Sequence, residues 1–172
     1  MTTSASIKVL SELHPIVVEK AIAHMELVRH HTPPDLIPFF GEGHRPDAVQ
    51  EQKHAAGLSN APVGLSFHRY RLAYHILFYN KIEKKMDWTS FSLFKVVQDL
   101  GASIGLKTGI WWLNKDGRRV DDWQHFELDV APIREVKAVY EGLMQNGPIG
   151  ELLFEKWVTK KYLERRFENE IP

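Results

Sequence analysis

Three of the nine histidines have a spacing that could build a metal site. His68 and His75 bracket the start of one predicted strand, and His125 lies in a second predicted strand farther along the chain. If these strands are neighbours, one ring nitrogen from each histidine could reach a common point. Three such ligands would leave one position of a zinc ion open for reacting water, as catalytic zinc requires. On spacing alone, each histidine could also be an ordinary hydrogen-bonded residue of the core or the surface.

Other polar residues could supply proton transfer and substrate binding. Asp122 lies three residues before His125, close enough to take a proton from reacting water while remaining unbound to the metal. Arg45 precedes a predicted helix, and its guanidinium could hold a substrate carboxylate through two parallel hydrogen bonds. An arginine at a helix start could instead be a simple surface charge. Trp111 and Trp112 could line a substrate groove or belong to the core.

Towards the end of the chain, the sequence between Lys156 and Arg166 combines basic and aromatic residues. This pattern is typical of the solvated face of an amphipathic helix. The alternative is a weak anchor for an anionic polymer of the cell envelope. Both interpretations stay open from the sequence.

Composition limits the classes of protein to which the chain could belong. Its 172 residues suit one domain, and 44% of them are hydrophobic, which is enough for a core. The 22 basic and 22 acidic residues cancel, so no overall charge favours nucleic acid or an anionic membrane. The absence of cysteine excludes disulfides, thiol nucleophiles and cysteine-ligated metals. The N-terminal sequence lacks the features of a secretory signal, and no run of about 18 apolar residues predicts a membrane span. We therefore expect a monomer made in the cytoplasm, without nucleic-acid binding or membrane insertion.

The order of predicted elements indicates an α+β fold with a small antiparallel sheet flanked by helices. Apolar residues at helical spacing predict helices, and short apolar or aromatic runs between turn residues predict strands. We predict helices over 15–31, 46–56, 89–106, 133–143 and 153–167, and strands over 36–40, 72–79, 109–113 and 123–128, with a turn at 114–117. The first of these helices should bury one face, formed by Val18, Ile22, Met25 and Val28.

Several short motifs follow one another along the first three quarters of the chain. An early Leu-His-Pro begins at Leu13. A Gly-His-Arg turn begins at Gly43 and is followed by Gln50 and Gly57. Each of these fragments is weak by itself, and their order is what carries information.

Two further motifs contain the histidines. The sequence that begins at Ser66 follows the pattern Ser-x-His-x-x-Gly-x-Ala-x-Asp, except that Arg71 replaces the glycine and His75 replaces the aspartate. From Asp122 to Glu127, an acidic residue and two others precede His-Phe-Glu. Over about residues 10–128, the whole series resembles the zinc D-alanyl-D-alanine carboxypeptidase and L-alanyl-D-glutamate endopeptidase family of VanY type, especially its phage endolysin branch.

The resemblance implies a role for each matching position. It implies that His68 and His125 are zinc ligands, that Asp122 is the general base, and that substrate is bound by Arg45, Gln50 and Ser66. It also implies the compact α+β fold shared by such peptidases and the Hedgehog signalling domain. Residues 1–172 would then form a single zinc peptidase domain, with 130–172 as a helical extension packed on it. His75 stands where the family has a carboxylate ligand, so it would keep the ligand count while removing one negative charge.

The function implied by the resemblance is hydrolysis of the peptidoglycan stem peptide. The bond would be L-alanyl-D-glutamate or D-alanyl-D-alanine, and the protein would be a phage endolysin that reaches the cell wall after membrane permeabilisation. Zinc would polarise the scissile carbonyl, while Asp122 takes a proton from the attacking water and returns it to the leaving amine. The alternative is a catalytically inactive protein on the same fold that binds a wall peptide or a protein partner and uses His75 for structure.

Overall fold

The computed structural model describes residues 4–113 and 119–170, and the side chains of residues 4–109 and 122–168. The predicted turn at 114–117 lies outside the described residues, as do the side chains of Trp111 and Trp112. The described part of the chain is a mixed α+β structure with six α-helices and a small antiparallel sheet. Its elements are α1 (Ser4–Ser11), α2 (Pro15–His31), β1 (Leu36–Phe40), α3 (Asp47–Ala55), a 3-10 helix (Phe67–Tyr70), β2 (Ala73–Asn80), β3 (Lys85–Asp87), α4 (Phe91–Ser103), β4 (Leu106–Leu113), β5 (Arg119–Leu128), α5 (Ile133–Met144) and α6 (Pro148–Glu170).

Helix α2 shows why the chain folds as it does near its start. Pro15 occupies the first helical position, where a missing N–H costs nothing, and the His14 ring accepts the backbone N–H of Ile16. The helix stops at His31 because Thr32 is followed by Pro33, which disfavours helical backbone at the preceding residue. Its buried face is formed by Val17, Ala21, His24, Met25 and Val28.

This face differs from the predicted one at its N-terminal end. Ile22, which was predicted to be buried, is 49% exposed, and Val17 is fully buried. The prediction was wrong because it followed the largest apolar side chains. The small Ala21 and the polar His24 occupy the positions that face the core.

The antiparallel sheet has the strand order β1-β2-β5-β4, and β3 pairs with the distal part of β2. Alternation along β2 separates two faces. Tyr74, Ile76 and Phe78 are fully buried on one face, which α2 and α4 cover; for example, Tyr74 contacts His24 of α2. His75 lies between these residues and therefore points to the opposite face of the sheet.

The C-terminal helices share the core of the rest of the chain. The ring of Tyr70 contacts Tyr140 of α5 and Phe154 of α6, with centroids 5.1 Å and 6.4 Å away. Val136 and Val158 are fully buried in the same apolar cluster as the sheet. Within the described residues, no helix has the length and apolar character that a membrane span would need.

Candidate metal centre

The three candidate histidines come together on the face of the sheet that points away from α2 and α4. His75 of β2 lies directly opposite His125 of β5 in the antiparallel register. His68 reaches the same place from the 3-10 helix, although the sequence had placed it beside a strand. Its Nε2 is 3.1 Å from Nε2 of His75 and 3.2 Å from Nδ1 of His125. The three ligand atoms lie within 4.8 Å of one another, close enough to hold one metal ion.

The outward nitrogens of two rings fix where their protons lie. Nδ1 of His68 is 2.6 Å from the carbonyl oxygen of Gly43, which can only accept, so Nδ1 donates. Nε2 of His125 is 2.9 Å from Oε2 of Glu127, a carboxylate that also accepts. Nε2 of His68 and Nδ1 of His125 are therefore unprotonated in the neutral rings, and both point into the cluster.

The third ring has an acidic neighbour at longer range. Nδ1 of His75 lies 3.6 Å from Oε2 of Glu42, an ion-pair distance and not a hydrogen bond. The two residues are also joined through the backbone, because the N–H of His75 donates to the carbonyl of Glu42 at 2.8 Å. This arrangement favours the proton of His75 on Nδ1 and leaves Nε2 facing the other two rings.

Burial keeps the rings of His68 and His75 uncharged. It lowers the pKa of His68 well below its usual value, and the nearby His125 and Arg45 lower this pKa further. Burial likewise lowers the pKa of His75, and His68 and His125 add to the effect. Three ring nitrogens with their lone pairs directed at one another repel unless a cation lies between them. His68 and His75 therefore have the uncharged state that metal binding requires, and the cluster has ring nitrogens close enough together to share an ion.

Glu42 is held rigidly behind His75. Its carboxylate accepts from Nε and a terminal nitrogen of Arg45 and from Nζ of Lys53, at 2.9 and 3.1 Å for the lysine. Burial alone would raise the pKa of Glu42, but the hydrogen bonds from Arg45 and Lys53 outweigh it and lower the pKa to about 2. Glu42 is thus ionised at neutral pH, and its charge is balanced by two cations.

The residues predicted to bind substrate are all buried around this network. Arg45 is 6% exposed, Gln50 is 1% exposed and Ser66 is 8% exposed. A terminal nitrogen of Arg45 donates to Oε1 of Gln50 at 2.8 Å, and Gln50 in turn donates to Oγ of Ser59 at 2.9 Å. Ser66 precedes the 3-10 helix and accepts the N–H of Arg69 at its carbonyl. Arg45 is therefore not a simple surface charge, and the substrate role of these residues stays a prediction.

The part of β5 that carries Asp122 is irregular. In the β4–β5 ladder, Thr108 lies opposite Phe126, but the next residue, Gly109, lies opposite Asp122. A step of one residue on β4 thus matches a step of four on β5, which is a bulge beside His125. A Cβ on Gly109 would collide with the carbonyl oxygen of Asp122, so glycine permits this close approach.

The bulge interrupts the alternation of side chains along β5. The ring of Trp123 lies 5.9 Å from Phe91 of α4, on the helix side, where Phe126 also packs against His24. Regular alternation would have placed Trp123 and Phe126 on opposite faces. Asp122 lies opposite Gly109 and three residues before His125 in the strand, and its role as a general base stays a prediction.

Two acidic residues and one carbonyl around the cluster were not assigned a role from the sequence. Glu127 could have been found, because a residue two positions after a strand histidine shares its face. Glu42 and the carbonyl of Gly43 could not, because they approach the cluster through the irregular segment between β1 and α3. No local sequence signal predicts the path of such a segment.

No protein-family model and no curated protein matches the sequence. The donor set by itself indicates the kind of ion. Imidazole nitrogen suits zinc, copper, iron and nickel, whereas magnesium and calcium prefer oxygen ligands. Three neutral ligands on one side of an ion leave room for a further ligand from solvent or substrate.

Proposed function

We propose that the protein is a zinc-dependent hydrolase of the peptidoglycan stem peptide, acting as a phage endolysin on the fold shared with the Hedgehog signalling domain. The observation that carries the proposal is the convergence of His68, His75 and His125, which lie in motifs that follow one another in the order seen in that peptidase family. The bond cleaved would be L-alanyl-D-glutamate or D-alanyl-D-alanine. The enzyme would reach the wall after membrane permeabilisation.

The three histidines would hold the zinc ion. When bound, zinc supplies a Lewis acid that polarises the scissile carbonyl and acidifies water. The outer contacts to Gly43 and Glu127 keep two of the rings oriented with their unprotonated nitrogens inward. A site built in this way binds its ion with little rearrangement.

Asp122 would perform the proton transfers. Its position opposite Gly109, at the bulge three residues before His125, supports a role near the ion, and it is not among the residues that together could hold the ion. Its carboxylate would take a proton from the attacking water and later give that proton to the leaving amine. An acidic side chain suits both steps, because its carboxylate form accepts the proton that its acid form then donates.

The alternative function is peptide or protein binding without catalysis. One observation favours it: Arg45 and Gln50 bond to each other and to Glu42 or Ser59, so their polar groups are engaged inside the protein. A substrate carboxylate would have to displace Glu42 before it could reach the Arg45 guanidinium. The two functions therefore differ in whether the metal cluster acts on a peptide or only stabilises a binding surface.

Mass analysis of the fragments released from purified sacculi tests the proposal. Zinc-loaded protein should release stem-peptide fragments whose masses identify the bond, and His68→Ala should release none. A folded, zinc-loaded parent that releases no fragment, even at high enzyme concentration, would favour the binding function. Retention of the same parent on sacculi during sedimentation would then support that alternative directly.

A further inference from the structure

Glu127 is a buried carboxylate whose position is set by the strand that also carries His125. Residues two apart in a strand point to the same face of the sheet, so the side chain of Glu127 lies next to the ring of His125. Glu127 is 6% exposed, and its Oε2 lies 2.9 Å from Nε2 of His125. Its neighbour across the sheet on β2 is Ala73, whose methyl group does not compete for the carboxylate.

The nearest lysine in the ladder is directed elsewhere. Lys107 lies opposite Glu127 on β4, but its Nζ is 2.8 Å from Oδ1 of Asp129. Glu42, the other acidic residue of the site, is bonded by Arg45 and Lys53, which balance its charge. Glu127 differs from Glu42 in that its carboxylate is bonded directly to a ring of the cluster, that of His125.

We propose that Glu127 is a positioning residue that makes His125 bind the ion through Nδ1 and that supplies charge in place of a carboxylate ligand. This inference rests on the metal centre of the proposed function. A carboxylate that accepts one ring N–H fixes the tautomer of a histidine and makes its other nitrogen a stronger donor to metal. His75 is a neutral ligand, so a carboxylate one bond behind His125 restores negative charge to the site.

Zinc affinity of the whole protein measures this role without any activity assay. Zn²⁺ alone is titrated in competition with a chromophoric chelator, using the parent, Glu127→Gln, Glu127→Ala and the control Asp129→Asn. The glutamine variant would keep an acceptor and lose the charge, so we expect affinity to fall about 10-fold, and about 100-fold for the alanine variant. Asp129→Asn should match the parent, because Asp129 contacts Lys107 and Arg165 and not a histidine. Parent-like zinc affinity in folded Glu127→Ala would overturn the proposal.

Nitrogen-15 NMR of the zinc-loaded parent gives a second, independent readout. His125 should show a proton on Nε2 and zinc on Nδ1, which is a signature that a merely structural glutamate would not impose. The reverse assignment would overturn the proposal even if Glu127→Ala binds zinc weakly. If the affinities and the tautomer agree with expectation but sacculi are not cleaved, the peptidase function fails and the role of Glu127 stands.

Discussion

His24 should make the stability of the protein sensitive to mild acid. It is fully buried in α2, with Nε2 at 2.8 Å from the carbonyl of Val97 and Nδ1 at 3.0 Å from the hydroxyl of Tyr74. The carbonyl can only accept, so Nε2 carries the proton and Nδ1 accepts from Tyr74. Burial lowers the pKa of His24 to about 4, although the bond to Val97 opposes this change.

The direction of the effect follows from the two pKa values. The unfolded chain has a histidine pKa of 6.5 and the folded one about 4, so between these values the unfolded state binds more protons. Stability from neutral His24 is therefore complete above pH 6.5 and is lost as the pH falls to about 4. At about 1.4 kcal/mol per pH unit, the loss amounts to about 3 kcal/mol. For a domain of this size that corresponds to a fall in Tm of about 6 to 12 °C.

His24→Gln isolates this contribution. Glutamine can still donate to Val97 and accept from Tyr74, but it cannot be protonated. Urea unfolding of both proteins, with chelator present to remove metal, gives the free energy of unfolding at intervals from about pH 7.5 to about pH 4, which spans both pKa values. The variant should be less stable at the neutral end, because the ring packing against Phe126 is lost, and the difference should shrink by about 3 kcal/mol at the acidic end. Parallel curves for the two proteins would refute the assignment, since the other acid-sensitive groups are common to both.

Four further predictions concern the metal cluster and the segments around it. Asp122→Asn should keep zinc, measured by elemental analysis, and should lose about 100-fold or more in sacculus cleavage, because the proposed general base is removed; unchanged cleavage would remove Asp122 from the mechanism. Gly109→Ala should keep zinc and lose about 10-fold or more in cleavage, since the new Cβ displaces the backbone at Asp122 and small misplacements are costly in rate; parent-like rates would show that the strand accommodates it. His75→Ala should lose most zinc, whereas His75→Asp should retain it because the number of ligands is restored; full zinc in the alanine variant would place His75 outside the ligand set. Arg71→Gly should be about 1 kcal/mol more stable than Arg71→Ala in urea unfolding, because Arg71 has a φ of 64° and glycine adopts that conformation without strain; equal stabilities would contradict the strain.

The sequence predicted the cluster because its members lie in recognisable local patterns. The aromatic run of β2 and the motif around His125 both indicated strands, and the structure confirms that these strands pair with His75 opposite His125. Pairing in an antiparallel sheet then brings the two side chains together without further information. His68 lies in a 3-10 helix and not in a strand. This helix is followed by Arg71, which has a positive φ. Positive φ is typical of glycine, so an arginine at this position does not predict such a turn.

The surroundings of the cluster depend on contacts between distant segments. Strand β3 and helix α1 were not predicted, since Lys85–Asp87 is a short polar run and the first residues carry little helical periodicity. The bulge at Asp122 could be predicted only from the register between β4 and β5. The contact of Gly43 with His68 could be predicted only from the path of the loop that carries Gly43. Sequence patterns report local periodicity, and these features arise only when the periodic elements have packed.

The two departures from the peptidase motif act on different properties of the site. Arg71 places a strained residue directly after the 3-10 helix, but its Nε donates to the carbonyl of Glu12 at 2.6 Å and its own carbonyl accepts from His14. These bonds offset strain locally and leave the turn that carries His68 in place. His75 instead changes the charge of the ligand set.

A histidine at position 75, where the resembling peptidases have a carboxylate, would lower the negative charge next to a bound ion. Among the side chains that the structure describes, Glu42 and Glu127 lie one layer farther out. Arg45 and Lys53 balance the charge of Glu42. Glu42 would therefore contribute more to the orientation of His75 than to the negative charge of the site. Glu127 instead bonds directly to the ring of His125. We therefore expect a three-histidine ligand set with one such carboxylate behind it to support zinc chemistry. Under the proposed function, whether the protein cleaves or only binds would then depend on how a peptide reaches the metal site past the buried Arg45–Gln50 pair.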